Sequence, residues 1–475
     1  MKLNRFYLCG LMLVFFPLVV KAQVALRVLD PHTPDITLGN GKKRIASIYD
    51  ADYFPYNINP RSEALWQRDI AADGIPEPLV INHQGKITTT GFRVGIPVTI
   101  QGYTTLPEYS TDITIPAAYT EDGNSRVLRF SWGPQICTPA TTHIFATIRS
   151  LDGDLLIKKL DMNMGFGTDV EGLLIGTFNY PDRYIGTGQI ITTNAQYKLY
   201  AVTGIPDRCL GKTTSACVGY GANVREHDFI YTPLVGPDGK VWLGNNLGAE
   251  YAKYGSTWFD PAAQAGALDT NTGQPLEYST AAQIKQDWRA YGSLFQWQRK
   301  ADGHELINWT SSSSSTPKYG TTTTLSNSWT NPGHSNFIKS YTSASYYWSW
   351  VNNTLNNADT NKNLWQSGQS NNPCPVGYHV PTHDEQIALH NAITGQNLGN
   401  TPSSSWAMWD ERVLRLPASG NRYAYDAMLY SQGAYGYFWS SESNSYYSWY
   451  LGFGGNSGAN SLNRAYGFSV RCIKD

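Results

Sequence analysis

Apolar and polar positions along the chain fall into two patterns, and the change comes near residue 227. From Gln23 to about Asp207, short β-branched runs alternate with turn residues. Ile87-Thr88-Thr89-Thr90 follows His83-Gln84-Gly85, Arg126 to Trp132 follows Glu121-Asp122-Gly123-Asn124, and Leu155-Leu156-Ile157 follows Leu151-Asp152-Gly153-Asp154. A glycine in each turn gives the backbone freedom that a tight hairpin needs, so these runs read as antiparallel strands. Short regular strands without a long helical period predict a mostly β fold, an antiparallel β-sandwich of Ig-like outline. Residues 23 to about 78 carry fewer strand signals and read either as a lead-in or as a small unit of their own.

Residues 208–226 read as a linker. Beyond it a hairpin is expected, Phe229 to Leu234 and Lys240 to Leu243, joined by the turn Gly236-Pro237-Asp238-Gly239. Residues 310 to 345 pass through Ser311 to Ser315 and Thr321 to Thr324, polar chain of low complexity that predicts a long surface loop. Thr382-His383-Asp384-Glu385 has capping-box spacing and opens a helix through about Ile393. After that helix only strands are legible.

Composition sets the compartment. Lys2 and Arg5, an apolar run from Phe6 to Val20 and the small residue Ala22 have the order of a secretory signal peptide, with cleavage expected after Ala22. The run is short for a membrane span and contains Pro17, and no later segment approaches the roughly 20 residues such a span needs. Cys9 is not preceded by the small residue that a lipidation signal places there. Charged residues make up 15 % of the chain, against roughly 25 % in an average soluble protein. Of 36 Lys+Arg and 37 Asp+Glu, cleavage removes Lys2, Arg5 and Lys21 and no acid, leaving 33 minus 37, or −4. That balance argues against a nucleic-acid partner. An exported protein at the cell surface or outside the cell is expected, with the periplasm as the other station.

Five cysteines remain after cleavage, none in a Cys-x-x-Cys pair, and in an oxidising compartment disulfides are the default. Two bridges and one odd thiol follow: Cys209 with Cys217 around a short loop, Cys374 with Cys472 around about a hundred residues, and Cys137 as a buried apolar side chain.

The second half resembles a known family through several blocks. They are Trp242-Leu243-Gly244-Asn245-Asn246-Leu247, Tyr291-Gly292-Ser293-Leu294-Phe295-Gln296-Trp297, the run from Asn372 to Thr382, Leu414-Arg415-Leu416-Pro417-Ala418-Ser419-Gly420, Gly436-Tyr437-Phe438-Trp439-Ser440-Ser441, and Gly467-Phe468-Ser469-Val470-Arg471-Cys472. In order and spacing these resemble the Fibrobacter succinogenes major paralogous (FISUMP) domain of exported Bacteroidota proteins, over about residues 227 to 475. The resemblance implies a C-type-lectin-like α+β domain with a bridge near its ends, related in architecture to formylglycine-generating enzymes. C-type lectins hold calcium with acid and amide triplets; where the Trp-Asn-Asp triplet would stand, this chain has Trp439-Ser440-Ser441. The reactive cysteine pair of the formylglycine enzymes is also missing, since Cys374 and Cys472 are assigned to structure.

Other chemistry weighs little. Asp161 to Asp169 places oxygen ligands at alternate positions but reads better as a strand ending in a glycine-rich turn, and Asp269-Thr270-Asn271 and Asp359-Thr360-Asn361 read as Asx turns. Pro381 between His379 and His383 denies them a shared helical face. Asp410, Glu411 and Glu442 have no spacing that singles out a glycosidase pair. No catalytic residue, metal site or cofactor is expected. The remaining signal is aromatic. Trp242, Trp297 and Trp439 read as core. Tyr346, Trp348 and Trp350 alternate after the polar loop, with Trp309, Trp329 and Trp365 nearby, and in an extended segment would offer three rings on one exposed face. The expectation is a non-catalytic adhesin that binds glycan or a cell-surface protein through this face. The alternatives are a structural or tip subunit of a fimbria-like assembly and, less favoured, a polysaccharide-processing enzyme.

Overall fold

A computed structural model of the chain describes residues 26–28, 46–47, 80–81, 86–100, 103–141, 143–161, 167–168, 173–186, 189–201, 204–211, 220, 226–261, 263–274, 276, 279–340, 349–357, 362–395 and 406–475. The expected export signal, residues 1–22, lies outside them. Among the described residues the protein is mostly β, as the strand pattern predicted, and no helix is long and apolar enough to cross a membrane.

Strict alternation builds the first half. In Arg126–Trp132 the side chains of Leu128, Phe130 and Trp132 are buried while Arg129 faces out and meets Asp112 on the neighbouring strand, its nitrogens 2.8 Å from both carboxylate oxygens. The strand is central in an antiparallel sheet ordered Leu26–Val28, Phe92–Ile100, His143–Ser150, Arg126–Trp132, Tyr109–Ile115. A long hairpin, Leu173–Gly186 with Gln189–Ala201, lays Phe178, Tyr180 and Tyr197 against this sheet, where Phe178 stacks on Phe130 at 5.3 Å. Leu155–Leu156 pairs with Lys86–Ile87, close to the expected strands, although Thr89 and Thr90 already belong to a bend. Cys137 is free and buried in this core.

In the second half the expected first hairpin forms between Pro233–Val235 and Val241–Leu243, with Gly236 donating to Lys240 O at 2.8 Å across the turn. The run before it breaks away: Ile230–Tyr231 pairs with Ile205–Pro206. A four-stranded sheet ordered Pro233–Val235, Val241–Leu243, Ile473–Lys474, Tyr378–His379 draws the last strand into the start of the region. Cys374 and Cys472 are bonded, with Cα atoms 5.9 Å apart and a sequence separation of 98. Cys209 is also disulfide-bonded; its expected partner Cys217 lies outside the described residues.

The helix His383–Thr394 begins where its cap predicts. Thr382 Oγ1 accepts from Glu385 N at 3.2 Å, and Glu385 Oε2 accepts from Thr382 N at 3.0 Å. The helix packs on an antiparallel meander, Gly436–Asn444, Tyr447–Phe453 and Ser457–Asn463, and Gln386 donates to the carbonyls of Phe438 and Trp439. Loops are tied by arginines that meet carbonyls instead of acids. Arg471 reaches Leu243, Gly244 and Leu414, and Arg464 reaches Asn356, Ser445 and Tyr447. A guanidinium offers five donors in a fixed fork, which lets one side chain satisfy several carbonyls in irregular chain. The polar stretch expected as a surface loop is largely open to solvent up to Leu325 but turns inward beyond, where Ser326, Trp329, Phe337 and Ile338 are buried, and it contains short pairings, Ser315–Pro317 with Ile307–Trp309 and Thr321–Thr322 with Phe337–Ile338.

Candidate functional site: a tyrosine-lined cleft

Of the aromatic face expected at Tyr346, Trp348 and Trp350, only Trp350 falls among the described residues, and it does not face out. Trp350 is fully buried, and its indole N–H donates to Trp297 O at 2.8 Å. Trp309, Trp329 and Trp365 are buried as well. Trp297, Trp329, Trp350 and Trp365 pack edge to face, with Trp329 and Trp350 centroids 5.2 Å apart. Small polar neighbours had suggested exposure, but Ser349 is itself buried, so composition was a poor guide to depth here. Tyr346 and Trp348 lie outside the described residues. Trp242, Trp297 and Trp439 are core, as expected.

An aromatic surface exists elsewhere. The strand Asn421–Arg422 pairs with Leu429–Tyr430 on one side and, through Arg422 and Gly467, with Gly467–Phe468 on the other. The meander lies alongside, and an open cleft of about 360 Å³ forms between them. Asn421, Tyr423, Tyr430, Tyr437, Tyr450, Leu462, Tyr466 and Phe468 line it. Phe468 is fully buried at its floor; Tyr437 stacks on it at 4.9 Å and 17°, and Tyr450 meets it at 5.1 Å. Tyr423 contacts Tyr430 and Tyr466 at 5.7 and 5.2 Å. Tyr425, Met428 and Tyr435 stand exposed on the flanking segments, and Tyr435 stacks on Tyr437. Two glycines make room for this crowd: a Cβ on Gly454 would come within 2.3 Å of the Tyr435 ring, and one on Gly452 within 2.9 Å of Tyr450.

Four of the lining phenols, Tyr430, Tyr437, Tyr450 and Tyr466, stay protonated across the physiological range. Burial, with the neighbouring Tyr437, pushes Tyr450 up to about 12, and burial raises Tyr437 as well. Burial and then the adjacent Tyr423 drive Tyr466 far above the usual phenol value. Tyr430 is raised by its hydrogen bond to Asp426, donated at 2.7 Å. Asn421 Oδ1 is buried and accepts no hydrogen bond.

A second cluster is ionic and closed. Asp302, His304 and Glu305 are the three metal-ligand types that come together among the described residues, and all are buried. Arg299 Nε donates to Asp302 Oδ2 at 2.7 Å, and His304 Nδ1 lies 2.6 Å from Asp302 Oδ1 and 3.1 Å from Glu305 Oε2. His304 Nε2 accepts from Gln296 N at 2.9 Å, so its proton sits on Nδ1, between the two carboxylates. A metal there would displace that proton and demand an imidazolate, so the donor set does not fit a cation. The cluster is a structural network joined to His227, whose Nε2 is 2.8 Å from Glu305 Oε1.

Other residues singled out in the sequence are apart. His379 bridges Asp475 and Glu385, while His383 stacks on Trp449 at 4.0 Å. Glu411 accepts from Leu414 N at 2.7 Å and Glu442 from His383 N at 2.9 Å, so both acids brace backbone. Most of Asp161 to Asp169 lies outside the described residues.

No family model, curated protein or solved structure matches the chain. The functional reading therefore rests on the cleft. Sequence reasoning missed it, although Tyr423 and Tyr425, then Tyr435 and Tyr437, carry the same alternation that drew attention to Tyr346 and Trp348.

Proposed function

We propose that the chain is an exported, non-catalytic recognition protein, an adhesin that binds its partner through the tyrosine-lined cleft. In this reading the first half is an Ig-like β-sandwich stalk, supported by the hairpin aromatics packed on the five-stranded sheet. The second half is a C-type-lectin-like domain of the FISUMP family, supported by the last strand joining the first hairpin and by the bridge between Cys374 and Cys472. One observation carries the function: an open cleft lined by phenols, one amide and apolar groups, with no carboxylate, imidazole or thiol among the described residues of its wall. Such a wall offers flat faces for stacking and fixed hydroxyls, but no acid and base to move a proton.

The test uses the fluorescently labelled mature chain on bacterial and epithelial cell surfaces. Tyr423→Ser with Tyr430→Ser lowers binding about tenfold while the melting temperature holds, the loss expected when central aromatic anchors are removed. Unchanged adhesion by the double variant, or hydrolysis of a polysaccharide by the wild type, overturns the reading. A fimbrial subunit is the second reading. It draws on Gln189–Ala201, whose outer edge pairs among the described residues only at Leu199 and Tyr200, leaving strand for another subunit. Concentration-dependent polymers in light scattering are its signature.

A further inference from the structure

We infer that the cleft takes a neutral polysaccharide segment and does so without a metal ion, an inference that rests on the recognition reading above and names its ligand class. The argument is a count of donors and acceptors. Tyr430 commits its proton to Asp426 Oδ2 at 2.7 Å, so its oxygen faces the cleft as an acceptor. Tyr423 and Tyr466 also line the cleft, ring to ring at 5.2 Å, and bring two further phenol groups to its wall. Asn421 is 9 % exposed, lines the cleft, and holds Oδ1 without a donor. A buried acceptor left unmet carries a desolvation cost, and a ligand that brings O–H or N–H groups removes it.

The cleft thus wants a donor-rich ligand with apolar faces for Tyr437 and Tyr450. A proline-rich peptide fits the rings but lacks the N–H groups at its prolines. An acidic ligand finds no cation among the described lining residues. Arg422 lies next in sequence to Asn421 but turns inward, donating to Ala427 O and to His304 O at 3.1 and 3.0 Å, with its guanidinium 4.2 Å from the Phe337 ring. A basic ligand finds only Asp426, which already accepts from Met428 N at 2.8 Å and from Tyr430. Sugar rings meet all three conditions: hydroxyls at the rim of each ring, a face of C–H groups for stacking, and no charge. Among the described residues the wall offers no carboxylate to hold a metal ion, so the binding inferred is metal-free.

Isothermal titration of the full mature chain decides it, with four probes: neutral hexose oligosaccharides of six to eight units, sulfated oligosaccharides, a proline-rich peptide and a lysine-rich peptide. The neutral sugars are expected to bind in EDTA as in calcium, and within about twofold between low and high salt, since no ion pair is formed. Tyr423→Phe keeps the ring and weakens binding a few-fold, whereas Tyr423→Ala and Asn421→Ala weaken it about tenfold, with melting temperatures checked for each variant. Loss of sugar binding in EDTA overturns metal independence. Binding of a peptide alone, abolished by Tyr423→Ala, overturns the sugar assignment and leaves the recognition cleft standing. If no probe binds and cell adhesion ignores Tyr423 and Tyr430, both readings fall.

Discussion

Trp350 stabilises the fold from within: its ring is wholly enclosed, lies edge to face against Trp329, and its one donor meets Trp297 O. Truncating such a side chain removes buried area and opens a cavity, so Trp350→Ala costs about 3–5 kcal/mol in urea denaturation. Binding per folded molecule stays unchanged; a variant of full stability with lost adhesion would return Trp350 to the surface role its sequence suggested. Alternation at Tyr346, Trp348 and Trp350 is legible in the sequence, but the depth of Trp350 is not, because its burial depends on partners as distant as Trp297 and Arg299. The cleft shows the converse. Asn421, Tyr450 and Phe468 are unremarkable one by one, and only the pairing of Arg422 with Gly467 brings their neighbourhoods together.

Elements governed by local chemistry were the readable ones. Arg126–Trp132 has a period of two and one buried face, and the structure reproduces it residue for residue. The helix at His383 declares itself through Thr382 and Glu385, and both reciprocal hydrogen bonds form. Thr382→Ala removes the hydroxyl that serves Glu385 N and lowers stability by about 1 kcal/mol, while Thr382→Ser restores most of it; equal melting curves for the three proteins would show that tertiary contacts alone hold that helix end. Residues 229–234 were harder. Their apolar run contains two short strands with different partners, and nothing local separates Tyr231 from Pro233. Loops stitched by Arg464 and Arg471 have no periodic signal at all, since their order comes from guanidinium to carbonyl bonds across long stretches of chain.

At the scale of the molecule, the segment entering the second half is held by charge. Burial alone would lower His227, yet the Glu305 carboxylate raises it to about 8 from 6.5. A raised folded value means the pair stabilises fully below pH 6.5 and its contribution is lost as pH climbs through about 8. His379, also raised against its burial by Glu385 and Asp475, has the same sign. Asp207, pushed up to about 6 by burial, titrates below that window. Thermal unfolding across that range should lose on the order of 2 kcal/mol for His227, and His227→Gln should flatten the curve; a wild-type profile that rises with pH contradicts the assignment. The bridge between Cys374 and Cys472 encloses nearly the whole cleft-bearing stretch, from before the capped helix to the final strand. In the exported setting proposed above, that arrangement bears on survival among proteases: one cut in any loop between residues 375 and 471 yields two polypeptides that remain covalently one object. The cut form runs at full mass until a reductant is added, and both walls of the cleft stay within reach of each other.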